Sequence, residues 1–170
     1  MVPKFRAWDV HEKRMLKVYR LSFDGPIEGV QVHCYLDDRG AEGSTEYSYD
    51  GDGLILDQYT GLKDANGKEI YEMDILEYYY VTHGQTFYDP DTLGTVGGEP
   101  GIETTVIGKV AIWPSTGVVL TRIKAEYPED FDSSNLDVPK MLHVNKHFTI
   151  IGNVHENLEL LEAQHDTRTD

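Results

Sequence analysis

Apolar and polar residues along this chain alternate with period two, in short runs cut by turn-forming residues. That pattern predicts strands rather than helices. Lys4–Asp9 reads as a first strand, with Phe5 and Ala7 on one face and Arg6 and Trp8 on the other. Val10–Arg14 is a polar turn, Met15–Phe23 its hairpin partner, and Gly25-Pro26 a break. In Gly29–Leu36, Val30, Val32, Cys34 and Leu36 alternate cleanly with Gln31, His33 and Tyr35. Asp37–Gly53 is polar and acidic and reads as a loop, with at most a short strand at Tyr47–Tyr49. Leu54–Tyr59 begins the next ordered piece.

Gln58–Leu76 is the most punctuated run and joins the N-terminal strands to those that follow. Asn66-Gly67 predicts a type I′ turn, in which both central residues take φ > 0. Lys63, Asp64, Lys68 and Glu69 flank it with mixed charge, which places the turn in water. Ile75–Val81 is a Tyr-rich strand, and Thr82–Gly101, with Pro90 and several glycines, reads as a long mobile excursion. Ile102–Trp113 returns as a strand with Gly108 at a bulge, Pro114–Gly117 turns, and Val118–Ile123 pairs back. Lys124–Lys140 carries Pro128 and Pro139 and reads as a loop, and Lys146–Val154 is the last strand. Asn157 caps a short helix over Leu158–Ala163, with Glu159 in its first turn, and Gln164–Asp170 frays. The expected fold is mainly β: short-stranded sheets with an SH3-like barrel part between Ile75 and Val154 and a short C-terminal helix. Residues 1–58, 59–156 and 157–170 are an N-terminal β-region, a central motif with a barrel-like region, and a helix with its tail, in one compact unit.

Composition sharpens this. A chain of 170 residues buries enough surface to fold without a metal or disulfide, and 16 Gly with 11 Tyr suit a loop-rich β protein. A net charge of −15 disfavours nucleic acid and anionic membranes; it reads first as a solubility device and second as an acidic surface for a basic partner. The single cysteine, Cys34, lies in an apolar alternation, so no internal disulfide forms and the thiol reads as buried and inert. With no apolar run of membrane-spanning length and no apolar signal core, the expected location is the cytoplasm.

Candidate chemistry is thin. His143 and His147 stand at i, i+4, but Val144, Phe148 and Ile150 read as strand, where that spacing separates the rings by about 13 Å. Asp50-Gly51-Asp52-Gly53 starts like a calcium loop, yet Leu54 and Gly61 stand where oxygen ligands are needed. Gly94–Gly101 lacks the Lys-Ser/Thr of a phosphate loop, and no Gly-x-Ser-x-Gly elbow is present. No catalytic, cofactor or metal residues are expected. The candidate interaction residues are Arg6, Trp8, Lys63, Asp64, Asn66 and Gly67: Arg6 and Trp8 share a strand face, as a structural pair or a partner's anchor, and the others form the exposed turn.

Three separated stretches, KFRAWD (Lys4–Asp9), QYTGLKDANGKEIYEMDIL (Gln58–Leu76) and IIGNVHENLELLE (Ile150–Glu162), resemble the opening strand, signature and closing strand-helix of the YopX family of phage and prophage proteins. This chain has Met73 where the family tends to Gly, and His155 and Leu158 where it tends to Tyr and Pro. The resemblance implies a mainly β, phage-encoded protein in a bacterial cytoplasm, and it implies no catalytic residues. The leading expectation is a non-enzymatic accessory protein acting through contact with itself, as a homo-oligomer, or with a basic host protein. A nucleic-acid-binding barrel would need a local basic-aromatic patch, for which Lys4, Arg6, Lys13, Arg14, Lys17 and Arg20 make the N-terminal hairpin the one candidate region. An enzyme would need a deep pocket with convergent titratable groups.

Overall fold

The computed structural model describes residues 2–25, 28–36, 45–81, 84–127, 136–144 and 147–162. The chain is mainly β. Strands β1 (Phe5–Asp9) and β2 (Arg14–Ser22) form the expected hairpin. Strands β3 (Gln31–Tyr35) and β4 (Thr45–Asp50) continue the meander in antiparallel fashion. Strand β5 (Gly53–Lys63) pairs along β1, and it meets β4 in parallel through only Tyr49–Gly53 and Asp50–Leu54. That short link leaves the first sheet short of a true barrel. Its inner face buries Ala7, Leu16, Val32, Cys34 and Leu54, the apolar half of each predicted alternation.

Past Gln58, β5 leaves β1, and from Tyr59 to Lys63 it pairs with β6 (Glu69–Tyr71). The turn between them differs from the I′ expectation. Gly67 has φ 81°, but Asn66 is not among the positive-φ residues. The Gly67 amide donates to the Asp64 carbonyl at 3.0 Å, and the Asp64 amide donates to the Lys68 carbonyl at 2.9 Å. This is a type I turn closed by a left-handed glycine, the three-residue hairpin solution. The side chain of Asp64 explains the choice: Oδ1 accepts from the amides of Asn66 and Lys68, both at 2.9 Å, and so organises the loop from inside.

The second sheet has the order β11-β10-β7-β12, from β7 (Asp74–Val81), β10 (Glu103–Trp113), β11 (Gly117–Ala125) and β12 (Phe148–Asn153). It is an open four-stranded sheet, so the barrel-like part expected between Ile75 and Val154 does not close. Ile70, Leu76, Tyr78, Val106, Val110, Leu120 and Phe148 form its core. The predicted bulge at Gly108 is present, and a Cβ there would lie 2.4 Å from Leu120 Cγ.

Three local expectations are corrected. Thr82–Gly101 is no plain excursion: β8 (Gln85–Tyr88) and β9 (Thr95–Glu99) pair with each other as a separate hairpin. Helix α1 (Val138–Val144) begins inside the stretch read as a loop, Lys124–Lys140, and runs on past its end. Asp137 Oδ1 accepts from the Lys140 amide at 3.3 Å, Pro139 sits in the first turn where it loses no hydrogen bond, and Val138 and Met141 are buried in the second core. The closing helix is a 3-10 turn over Leu158–Leu161, and Asn157 does not cap it. Its side-chain oxygen accepts from the Asn153 amide instead, at 3.3 Å. Pro26, Pro128 and the tail Gln164–Asp170, each read from the sequence, lie outside the described residues.

Candidate functional site

Strand β1 has two working faces. Ala7 enters the first core, while Arg6 and Trp8 point to the elements that follow β5. Arg6 Nε donates to Asp57 Oδ2 at 3.1 Å, and its Nη2 reaches Asp74 Oδ1 at 2.8 Å and the Glu72 carbonyl at 3.2 Å. Its guanidinium lies 4.8 Å from the Tyr71 ring centroid. Asp57, opposite Arg6 on β5, also meets His155 Nε2 at 3.0 and 3.2 Å. Trp8 stacks on the His155 ring at 5.4 Å and is only 7% exposed. Burial pushes the Asp74 carboxyl upward, against the pull of Arg6 and the Tyr71 amide. Each charge in this buried set is paired inside the fold, and none lines either of the two surface clefts described below. Of the two readings of Arg6 and Trp8, the geometry matches the structural one, with Tyr71 and His155 as their ring partners rather than each other.

The turn residues divide. Lys63, Asn66 and Gly67 are exposed as expected. Asp64 is buried, which corrects its placement in water: Oδ2 also accepts from the Ile150 amide at 3.2 Å, tying the turn to β12. Burial pushes this carboxyl up, but the amides of Lys68, Ile150 and Asn66 outweigh it and hold it below the ordinary carboxylate range. Cys34 is buried and its thiol is pushed up to about 12, chiefly by burial, so thiolate chemistry is suppressed. Among the described residues, no group of three or more His, Cys, Asp or Glu stands close enough to hold a metal ion.

Three surface features stand apart from this buried set; the first includes part of the basic N-terminal hairpin and the third falls in the stretch read as an excursion. The first is a cleft of about 500 Å³ between the start of β1, the outer side of β2 and β6, lined by Lys4, Phe5, Lys17, Tyr19, Arg20 and Tyr71 among others. Glu69 also lines it and pairs with Lys4. The second continues from it across β2, β3 and β4. Tyr19 lies 4.6 Å from Tyr35 and 5.9 Å from His33, and His33 lies 5.2 Å from Tyr47. The polar half of the β3 alternation, together with Tyr47, was the available signal. Beyond Tyr47 the surface turns acidic, in a second cleft with Asp9, Glu12, Glu46 and Asp52. The third is the β8–β9 hairpin, exposed along its whole length, with Phe87, Tyr88, Leu93 (77%) and Val96 (66%) in solvent.

Residues 4–162 match the family described as YopX protein. Among solved structures, the chain is similar to the crystal structure of protein EF1440 from Enterococcus faecalis, at 28% identity over 95% of this chain and 99% of that chain, with a TM-score of 0.49. No curated protein matches.

Proposed function

The chain belongs to the YopX family, and on that footing we propose a phage or prophage accessory protein of the bacterial cytoplasm that acts without catalysis, through contact with a second copy of itself or a basic host protein. The observation that carries this reading is the β8–β9 arm. A lone two-stranded hairpin is marginal in water, and this one holds apolar side chains in solvent rather than against a core. Its segment Gln85–Glu99 also contains Asp89, Asp91 and Glu99 and no Lys or Arg, so the matching surface is basic and apolar. Against an enzyme, the buried Arg6–Asp57–His155 set is satisfied internally and lines neither cleft. No helix among the described residues is long and apolar enough to cross a membrane.

The test is capture of partners by the tagged protein from phage-bearing cells, with light scattering for self-association. Phe87→Ser with Tyr88→Ser is expected to weaken the complex about tenfold or more, as loss of an aromatic anchor does. Capture and mass unchanged in that folded variant reject the arm as the contact.

A further inference from the structure

We propose that the outer face of the first sheet binds a short single strand of nucleic acid, a role separate from that of the arm. The net charge of −15 argues against this for the molecule as a whole, but the charge is not spread evenly. The cleft beside β2 gathers Lys17 and Arg20, and among the described residues neither is in an ion pair. Lys4, the third cation, is paired with Glu69, and the Asp24 carboxyl is held down chiefly by the Ser22 hydroxyl, with Arg20 a smaller contributor. Two cations are therefore available for phosphates.

Tyr19 belongs both to this cleft and to the row of rings that runs over Tyr35 and His33 to Tyr47. The inner rings pack on each other, Tyr35 on Tyr19 and His33 on Tyr47, so it is the solvent-exposed rings of the row, Tyr19 (43%) and Tyr47 (64%), that bases can stack on. Backbone tracking by cations beside stacking aromatics is the physical recipe for single-strand binding, and it is indifferent to sequence because every base has a π-face. The shielded Nε2 of His33, itself a ring of this row, has no hydrogen-bond partner among the described residues. The acidic cleft beyond Tyr47 ends the footprint, so only a few nucleotides fit. The face offers rings and cations rather than a sugar-reading set, so DNA and RNA strands should bind alike.

Fluorescence anisotropy of labelled oligothymidine and oligouridine, with a duplex and a polyglutamate peptide as competitors, tests this. Both single strands should bind and the duplex should compete poorly. With two phosphates neutralised, affinity should fall about sevenfold between 50 and 200 mM salt. Lys17→Gln with Arg20→Gln should flatten that dependence. Tyr19→Ala or Tyr47→Ala should weaken binding about tenfold, while Tyr19→Phe and Tyr47→Phe, which keep the rings and the fold, should bind as wild type. Absence of binding, equal competition by duplex, affinity unchanged by ring removal, or equal competition by polyglutamate each overturns the proposal; the last would assign the face to an acidic protein. The arm reading stands or falls separately, since Phe87→Ser with Tyr88→Ser leaves this face intact.

Discussion

Met73 is one of four non-glycine residues with positive φ among the described residues, beside Lys13, Leu93 and Arg122. It holds φ 65°, in the left-handed region, at the turn where the family tends to glycine. The turn nevertheless forms, because both of its backbone groups are committed: the amide donates to the Val110 carbonyl at 3.1 Å and the carbonyl accepts from the Val154 amide at 2.8 Å. A side chain in this region costs about 1 kcal/mol or more. Met73→Gly relieves that strain at a small entropic cost and a modest loss of half-buried surface. We expect a net gain of about 0.5 kcal/mol, read from the urea midpoint. A loss of stability would mean that Met73 packing outweighs its backbone. The sequence showed the unusual residue and its departure from the family, but not the two hydrogen bonds that hold it, since both partners lie far along the chain.

At the scale of elements, the strands that bury one face were readable because period-two alternation is local, while the exposed β8 and β9, most of β4, the turns and the ends were less so. Asn66-Gly67 gives an I′ signal, but the Asp64 carboxylate competes for the loop amides and selects a type I turn with Gly67 left-handed. Helix α1 was hidden because prolines and acidic residues read as loop, and its Val138–Met141 face has meaning only against the second core. The Asp64 staple has a pH signature. Its carboxyl is held below its ordinary value in the fold, so the unfolded chain takes up a proton first. The staple's contribution is therefore complete above pH about 4 and is lost as pH falls through the lower, folded value. Asp9 behaves alike: burial raises it, but the Glu12 amide, Arg14 and the His11 amide lower it further. Asp74 works in the opposite sense, since burial raises its folded value. Asp64→Asn should shrink the loss of stability between pH 4 and 3, measured by chemical denaturation at each pH. An identical pH slope in that variant would place the acid sensitivity elsewhere.

At the scale of the whole molecule, two cores are joined across β1, and the joint is ionic as well as aromatic. Sequence could not show it: Arg6 and Asp57 are 51 positions apart and Asp57 and His155 are 98 apart. Removing one member of a buried charge set leaves the others uncompensated. Asp57→Ala should therefore cost about 3 kcal/mol and, because each core lies on its own side of the joint, broaden or split a single melting transition. A change below about 1 kcal/mol would show that the joint contributes little. The arm stands outside both cores, so limited proteolysis should cut between Gln85 and Glu99 before either sheet opens. First cuts elsewhere would mean that the arm is covered.

The stack of Trp8 on His155 also gives the molecule a built-in optical gauge. Of the two tryptophans, Trp8 sits dry at the joint and Trp113 is 43% exposed at the end of β10. Only Trp8 has far to move in polarity, so a red shift in emission registers the parting of the two sheets. Far-ultraviolet dichroism registers the strands themselves. If the emission shift precedes the loss of dichroism during unfolding, the sheets separate while still folded, and a two-state treatment of this protein would understate the stability of each half.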